Sequence, residues 1–352
     1  MAELARRDPL AHRRIIQRAV ATANSQAVFW QIDRAGRTPS YLLGTVHLTD
    51  ERLKRLPQAV DRALQQARQV AVETYYDREE TAESVLSQLG TAAVSSPAHR
   101  LSDHLSEQEF AELERFAGEA RISRDELDRL NPWVAEMLIR GETCEARRVE
   151  RGELVLDAWI ASRAAGDGIP LRKLETVSEQ FGTLASIPYS AQLAMLRYAL
   201  SAKSGTADDE IETMVGLYLR RQIPAIDAMT RMLAPEPEMA RAYLDAFWTD
   251  LIGRRNERFV ANAQPLIEDG GAFIAVGAAH LPGERGMVAM LRQAGYTVTA
   301  VESGSATATG LSALAKPSQR KRKSRRKATT VAEAVPRAAV TGYRPERTGG
   351  RK

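Results

Sequence analysis

The chain has 352 residues, of which 44% are hydrophobic and 27% charged, values typical of a soluble globular protein. Its single cysteine, Cys144, excludes an intramolecular disulfide framework and cysteine-rich metal modules. The longest run without a charged residue, 180–196, is too short and too polar to cross a bilayer. The sequence therefore predicts no transmembrane helix.

The net charge of +4 conceals an uneven distribution. Residues 303–352 carry 13 Lys and Arg against 2 acids, whereas the preceding residues are acidic overall. Because this segment has too little apolar surface to offset the entropy cost of ordering, we predict a disordered basic tail. Such a tail is either merely solvated or contacts an anionic partner, such as nucleic acid or lipid headgroups.

The N-terminal residues 1–26 form an Arg-rich lead-in that we expect to be a short helix or a frayed segment. Arginines interrupt every apolar stretch there, so the apolar core of a secretory signal is missing. This predicts a cytoplasmic protein, or a periplasmic one if the true N-terminus is longer.

Between these segments, residues 27–302 show the pattern of an α/β domain. Apolar runs with strand character lie at 28–32, 40–43, 69–72, 170–174, 272–276 and 296–301. Helical spacing of apolar residues marks 53–67, 79–166, 178–265 and 286–293. The stretch 178–265 has breaks near Pro188, Pro224, Pro235 and Pro237.

Two strands are followed by the same motif, Gly-x-x-His-Leu, at 44–48 and 277–281. A glycine lets the chain leave a strand with unusual backbone angles. His47 and His280 therefore stand just past the carboxyl ends of their strands, where ligands bind in parallel α/β sheets. A lone histidine in such a place is more often a cap or a core residue, but two copies in a chain with five histidines favour a functional site.

Glu73 and Glu175 occupy the equivalent position after two further strands. Each could simply end a buried strand, and for Glu175 we favour that structural role. The four strand ends thus offer two imidazoles and two carboxylates, which could converge on one pocket.

The segments 41–48 and 273–283, together with the strand that ends at Glu73, resemble the TraB/PrgY/GumN family. The similarity extends through about 28–302 and is loose in the helical middle. This family is grouped with the Tiki proteases, the erythromycin esterases and the ChaN-like proteins. The resemblance implies their α/β architecture: two related halves with mostly parallel strands, a helical middle insertion and a hydrolytic site at the junction.

The resemblance also implies roles for individual residues. In Tiki-type members the two motif histidines and a glutamate serve a divalent metal, which corresponds here to His47, Glu73 and His280 with manganese, cobalt or zinc. Arg255 matches a recurring arginine and suggests contact with substrate or oxyanion, although Arg254 stands where we expect an acid. Two imidazoles and a carboxylate leave a position for water, as a hydrolytic metal site requires, and accept zinc, manganese, cobalt or iron(II) alike. The implied function is metal-dependent hydrolysis of a peptide or ester substrate.

Two alternatives to a metal-dependent hydrolase stay open. In a metal-free esterase, one histidine acts as general base on water, Glu73 orients it and Arg255 stabilises the developing oxyanion. In the other, the fold is a non-catalytic regulatory or binding module in which the histidines no longer perform chemistry.

Overall fold

The strands pair into one six-stranded sheet of order β4-β3-β5-β2-β1-β6 in the computed structural model. They are β1 (Phe29–Asp33), β2 (Ser40–Thr45), β3 (Gln69–Val72), β4 (Leu171–Lys173), β5 (Ala272–Gly277) and β6 (Thr297–Ala300). β2, β5, β3 and β4 are mutually parallel neighbours, whereas β1 pairs antiparallel with β2 and β6. The predicted α/β fold with mostly parallel strands is confirmed.

The structure describes residues 1–75, 90, 93–94, 99–119, 122–139, 143–201, 207–233 and 237–301. The predicted basic tail, 303–352, lies outside them, as do parts of the predicted helical stretch 79–166.

The helices cover both faces of the sheet and build the middle of the chain. They are α1 (Ala2–Arg7), α2 (Pro9–Ala21), α3 (Gln58–Gln65), α4 (Glu107–Glu119), α5 (Arg124–Asp128), α6 (Pro132–Leu138), α7 (Cys144–Glu150), α8 (Leu156–Gly166), α9 (Val177–Ser186), α10 (Tyr189–Ser201), α11 (Ala207–Leu219), α12 (Pro224–Leu233), α13 (Pro237–Ala246), α14 (Arg255–Asp269) and α15 (Met287–Gln293). The helix expected from residue 53 begins only at Gln58, because Pro57 keeps the residue before it out of the helical region.

The central strand β5 is buried on both faces. Phe273 and Ala275 face an apolar layer that includes α3 and α8, while Ile274 and Val276 face a second layer that includes α14 and α15. Burial on both sides explains why this strand is a continuous apolar run rather than an alternating one.

A separate helical core lies in the middle of the chain. Leu101, Leu127, Trp133 and Leu196 are among its buried side chains. Pro132 begins α6, a position where its missing N–H costs no helical hydrogen bond. Within the described residues, no helix is both long enough and apolar enough to span a membrane.

Candidate functional site

The carboxyl ends of four parallel strands meet at one edge of the sheet. Thr45 of β2 is in register with Gly277 of β5, and Val72 of β3 is in register with both Ala275 of β5 and Lys173 of β4. The residues that follow these strands are therefore neighbours in space although they are far apart in the chain. His47, Glu73, Glu175 and His280 all emerge at this edge.

His280 is buried, with 2% of its surface exposed. Its Nδ1 lies 2.6 Å from Oδ1 of Asn256, whose own amide nitrogen donates to the Arg285 carbonyl at 2.8 Å. That second bond fixes the amide so that Oδ1 can only accept, and His280 must therefore carry its proton on Nδ1. Burial lowers the pKa of His280 to about 4 against the opposing effect of Glu73, so the ring is neutral with a lone pair on Nε2.

Glu73 is 7% exposed, and both of its carboxylate oxygens accept hydrogen bonds. The Gly277 N–H donates to Oε1 at 2.6 Å, and Nη2 of Arg255 donates to Oε2 at 2.6 Å. Burial disfavours the charged carboxylate, but the two imidazoles, the Arg255 guanidinium and the Gly277 N–H outweigh burial and hold the pKa of Glu73 well below its ordinary value. Because Arg255 remains charged once His280 is neutral, Glu73 is ionised at pH 7.

Arg255 joins the two glutamates of the site. Besides its bond to Glu73, its Nε donates to Oε1 of Glu175 at 2.9 Å, and its Nη1 lies 3.5 Å from Nε2 of His280. Glu175 has a side chain with no exposed surface, in keeping with the structural role favoured for it. Arg255 begins α14 directly after the π-helix Phe247–Arg254, a local widening of the helix that often accompanies functional sites.

His47 occupies the open side of the site, with 66% of its side chain exposed. Its Nδ1 lies 2.8 Å from Oδ2 of Asp157 on α8, and the hydroxyl of Thr45 bonds to the other oxygen of the same carboxylate. The Asp157 carboxylate raises the pKa of His47, with a further contribution from Glu73. An ionised carboxylate can only accept, so the Nδ1 proton of His47 is fixed as it is in His280.

The three predicted metal ligands face one space above Gly277. A Cβ placed on Gly277 would lie 3.1 Å from Oε1 of Glu73, 3.6 Å from Cδ2 of His280 and 3.8 Å from Nε2 of His47. Oε1 of Glu73 is 3.8 Å from Nε2 of His280. A side chain on residue 277 would fill the space that these groups share, which gives this motif glycine a steric role.

The donor chemistry of this space suits a divalent metal. Both histidines have Nδ1 bonded to an acceptor, an arrangement usual for histidines that bind a metal through Nε2. Among the residues that the structure describes, however, no three His, Cys, Asp or Glu side chains are placed to hold a metal ion. One oxygen of Glu73 is bonded instead to Arg255.

Two residues of the site, Asn256 and Asp157, were not predicted from the sequence. Asn256 stands beside Arg255 in the chain, so its position next to a candidate residue was the available signal. Asp157 lies 110 residues from His47 and follows no motif. Its place depends on how α8 packs against the loop after β2.

One protein-family model covers most of the chain. The model of the TraB/PrgY/gumN family matches residues 28–300, which is well over half of the chain. The chain belongs to the TraB/PrgY/gumN family. The match spans both Gly-x-x-His motifs, Glu73 and Arg255, whose side chains meet at this edge.

Curated relatives of this TraB/PrgY/gumN family chain carry metalloprotease names. Metalloprotease TIKI1 of Danio rerio is 24% identical over 78% of this chain and 63% of its own length, and metalloprotease TIKI2 of the same organism is 24% identical over 83% and 64%. The metalloprotease TIKI homolog of Amphimedon queenslandica is 25% identical over 79% and 62%. The chain thus spans less than two-thirds of these relatives. No solved structure gives a significant match.

Proposed function

We propose that this chain is a metal-dependent hydrolase of peptide or ester bonds in which His47, Glu73 and His280 hold the metal. The observation that carries the proposal is the matched orientation of the two imidazoles: each has its Nδ1 bonded to an acceptor, which leaves Nε2 as the ring nitrogen available to a metal once it is unprotonated. Oε1 of the ionised Glu73 carboxylate faces the same space above Gly277 as the two imidazoles. The metalloprotease names of the relatives favour a peptide substrate.

A divalent ion bound by these residues would polarise a carbonyl oxygen and bring the pKa of a bound water near neutrality. The chain's own groups have separate tasks. Burial keeps His280 neutral, and Arg255 keeps Glu73 ionised. Arg255 also has Nη1 directed to His280, where it could donate to an oxyanion that develops at the same edge.

The His47–Asp157 pair favours a second candidate, metal-free hydrolysis. An imidazole oriented by a carboxylate is the arrangement of a general base that takes a proton from water. In this mechanism Asp157, rather than Glu73, orients the base. The exposed position of His47 allows water to reach it.

The test is hydrolysis of a peptide and ester library by the full chain with manganese, cobalt or zinc, with and without chelator. We expect chelator-sensitive hydrolysis that is lost in His280→Ala and in Glu73→Gln. His12→Ala, on α2, is the matched control and should keep full activity. Chelator-insensitive hydrolysis that still requires His47 would select the metal-free mechanism instead.

If the chain hydrolyses nothing with any metal and binds no metal, its function is that of a regulatory or binding module. The ion pairs of Arg255 with Glu73 and Glu175 are what favour this outcome, because they satisfy the buried charges without a metal.

A further inference from the structure

The carboxylate of Asp157 bonds to two residues of the first Gly-x-x-His motif at once. Oδ2 lies 2.8 Å from Nδ1 of His47, and Oδ1 accepts from the hydroxyl of Thr45. We infer that Asp157, held by Thr45, is the positioning residue of His47, fixing its tautomer and the direction of its Nε2. This inference rests on the proposed function, because it assigns Nε2 of His47 to that site.

The fold holds Asp157 more firmly than it holds His47. Asp157 is the second residue of α8, and the N–H of the residue before it, Leu156, donates to the Leu48 carbonyl at 3.0 Å. This bond ties the start of α8 to the residue that follows His47. The Asp157 side chain is 17% exposed, against 66% for His47. The Asp157 carboxylate is therefore held in place by the fold, and the orientation of the His47 imidazole depends on it.

The two motifs differ at their second position in a way that matches this role. The first motif has Thr45 and its histidine faces a carboxylate, whereas the second has Ala278 and its histidine faces the Asn256 amide. Asn256 is oriented by the Arg285 carbonyl. Asp157 is oriented by the Thr45 hydroxyl, a bond that alanine at that position could not make.

Loss of Asp157 has two consequences for His47. The exposed ring becomes free to rotate, and its proton is free to move from Nδ1 to Nε2. Protonation of Nε2 removes the lone pair that would bind a metal. Replacing a residue that hydrogen-bonds to a metal-binding histidine typically weakens metal affinity about 10- to 100-fold.

The first readout is the tautomer of His47, measured by ¹⁵N NMR of histidine-labelled, metal-free protein at a pH where the imidazole is neutral. His47→Gln assigns the signal. We expect Nδ1–H in the native protein, a shift towards Nε2–H in Asp157→Ala, and a smaller shift in Thr45→Val. Asp61→Ala, which removes a surface carboxylate that pairs with Arg163, is the matched control and should leave the signal unchanged.

The second readout is the affinity for Mn²⁺ or Co²⁺, measured by calorimetry on the full chain. We expect Asp157→Ala to weaken it about 10- to 100-fold. Retention of the native His47 tautomer in both Asp157→Ala and Thr45→Val would overturn the inference, as would native metal affinity in both. If native protein binds no metal while the tautomer still shifts, the proposed metal function fails and the positioning role stands. Thr45→Val supplies the answer if Asp157→Ala does not fold.

Discussion

Arg255→Met removes the cation that lies between two buried carboxylates, and we expect it to destabilise the fold. The Glu175 side chain has no exposed surface and that of Glu73 is 8% exposed, so neither charge can be solvated in place of its lost partner. Breaking a buried ion pair by removing one partner costs about 3–5 kcal/mol. We expect a loss in that range at pH 7.

A double-mutant cycle separates this charge effect from lost packing. In Arg255→Met/Glu175→Gln one of the uncompensated charges is gone, so we expect the double variant to regain about 1–3 kcal/mol relative to Arg255→Met alone. Arg285→Met is the matched control, because its pair with Glu257 is exposed on both sides. Exposed pairs of this kind contribute about 0–1 kcal/mol.

The assay is urea unfolding of the full chain, followed by tryptophan fluorescence and circular dichroism. Two results would show that Arg255 does not stabilise the fold through its charge. One is a loss of less than about 1 kcal/mol in Arg255→Met, equal to that of the exposed control. The other is a double variant no more stable than Arg255→Met, which would mean that packing rather than an unpaired charge carries the cost.

Burial raises the pKa of Glu136 from 4.5 to about 7, so its contribution to stability is complete below pH 4.5 and is lost as pH rises through 7. Glu136→Gln should therefore increase the free energy of unfolding by about 2–3 kcal/mol at pH 8, seen as a higher melting temperature, and should have no such effect at pH 4. A Cβ on Gly44 would lie 2.9 Å from the Cα of Ala278, so Gly44→Ala should cost about 1–3 kcal/mol in urea unfolding, whereas Gly118→Ala, which meets no neighbour within 4 Å, should be neutral or stabilising. Deleting 303–352 should leave the melting temperature nearly unchanged, and a drop of several degrees would show that the tail packs on the rest of the chain.

The residues of the site that sequence analysis located share a local signal. His47, His280 and Glu73 each follow a short apolar strand, and parallel strands bring their carboxyl ends to one edge. A pattern within a few residues was therefore enough to place these side chains near each other. The order of the strands was not accessible in the same way, because the pairing of β6 with β1 depends on contacts between opposite ends of the chain.

Asp157 shows why the remaining part of the site was not predicted. Its bond to His47 spans 110 residues and exists only because the start of α8 lies against the loop after β2. The π-helix Phe247–Arg254 is a similar case, since apolar spacing predicts a helix there but does not distinguish a π-helix from an α-helix. Both features follow from tertiary packing rather than from local pattern.

The metal content of the purified full chain decides whether His47, Glu73 and His280 hold a metal ion. After loading with Mn²⁺, Co²⁺ or Zn²⁺ and removal of the excess, elemental analysis should find about one ion per native chain, as a single His–His–carboxylate site requires. The His47→Ala/His280→Ala double variant should retain none while keeping a cooperative unfolding transition. Equal metal content in the native chain and a folded double variant would mean that these histidines bind no metal.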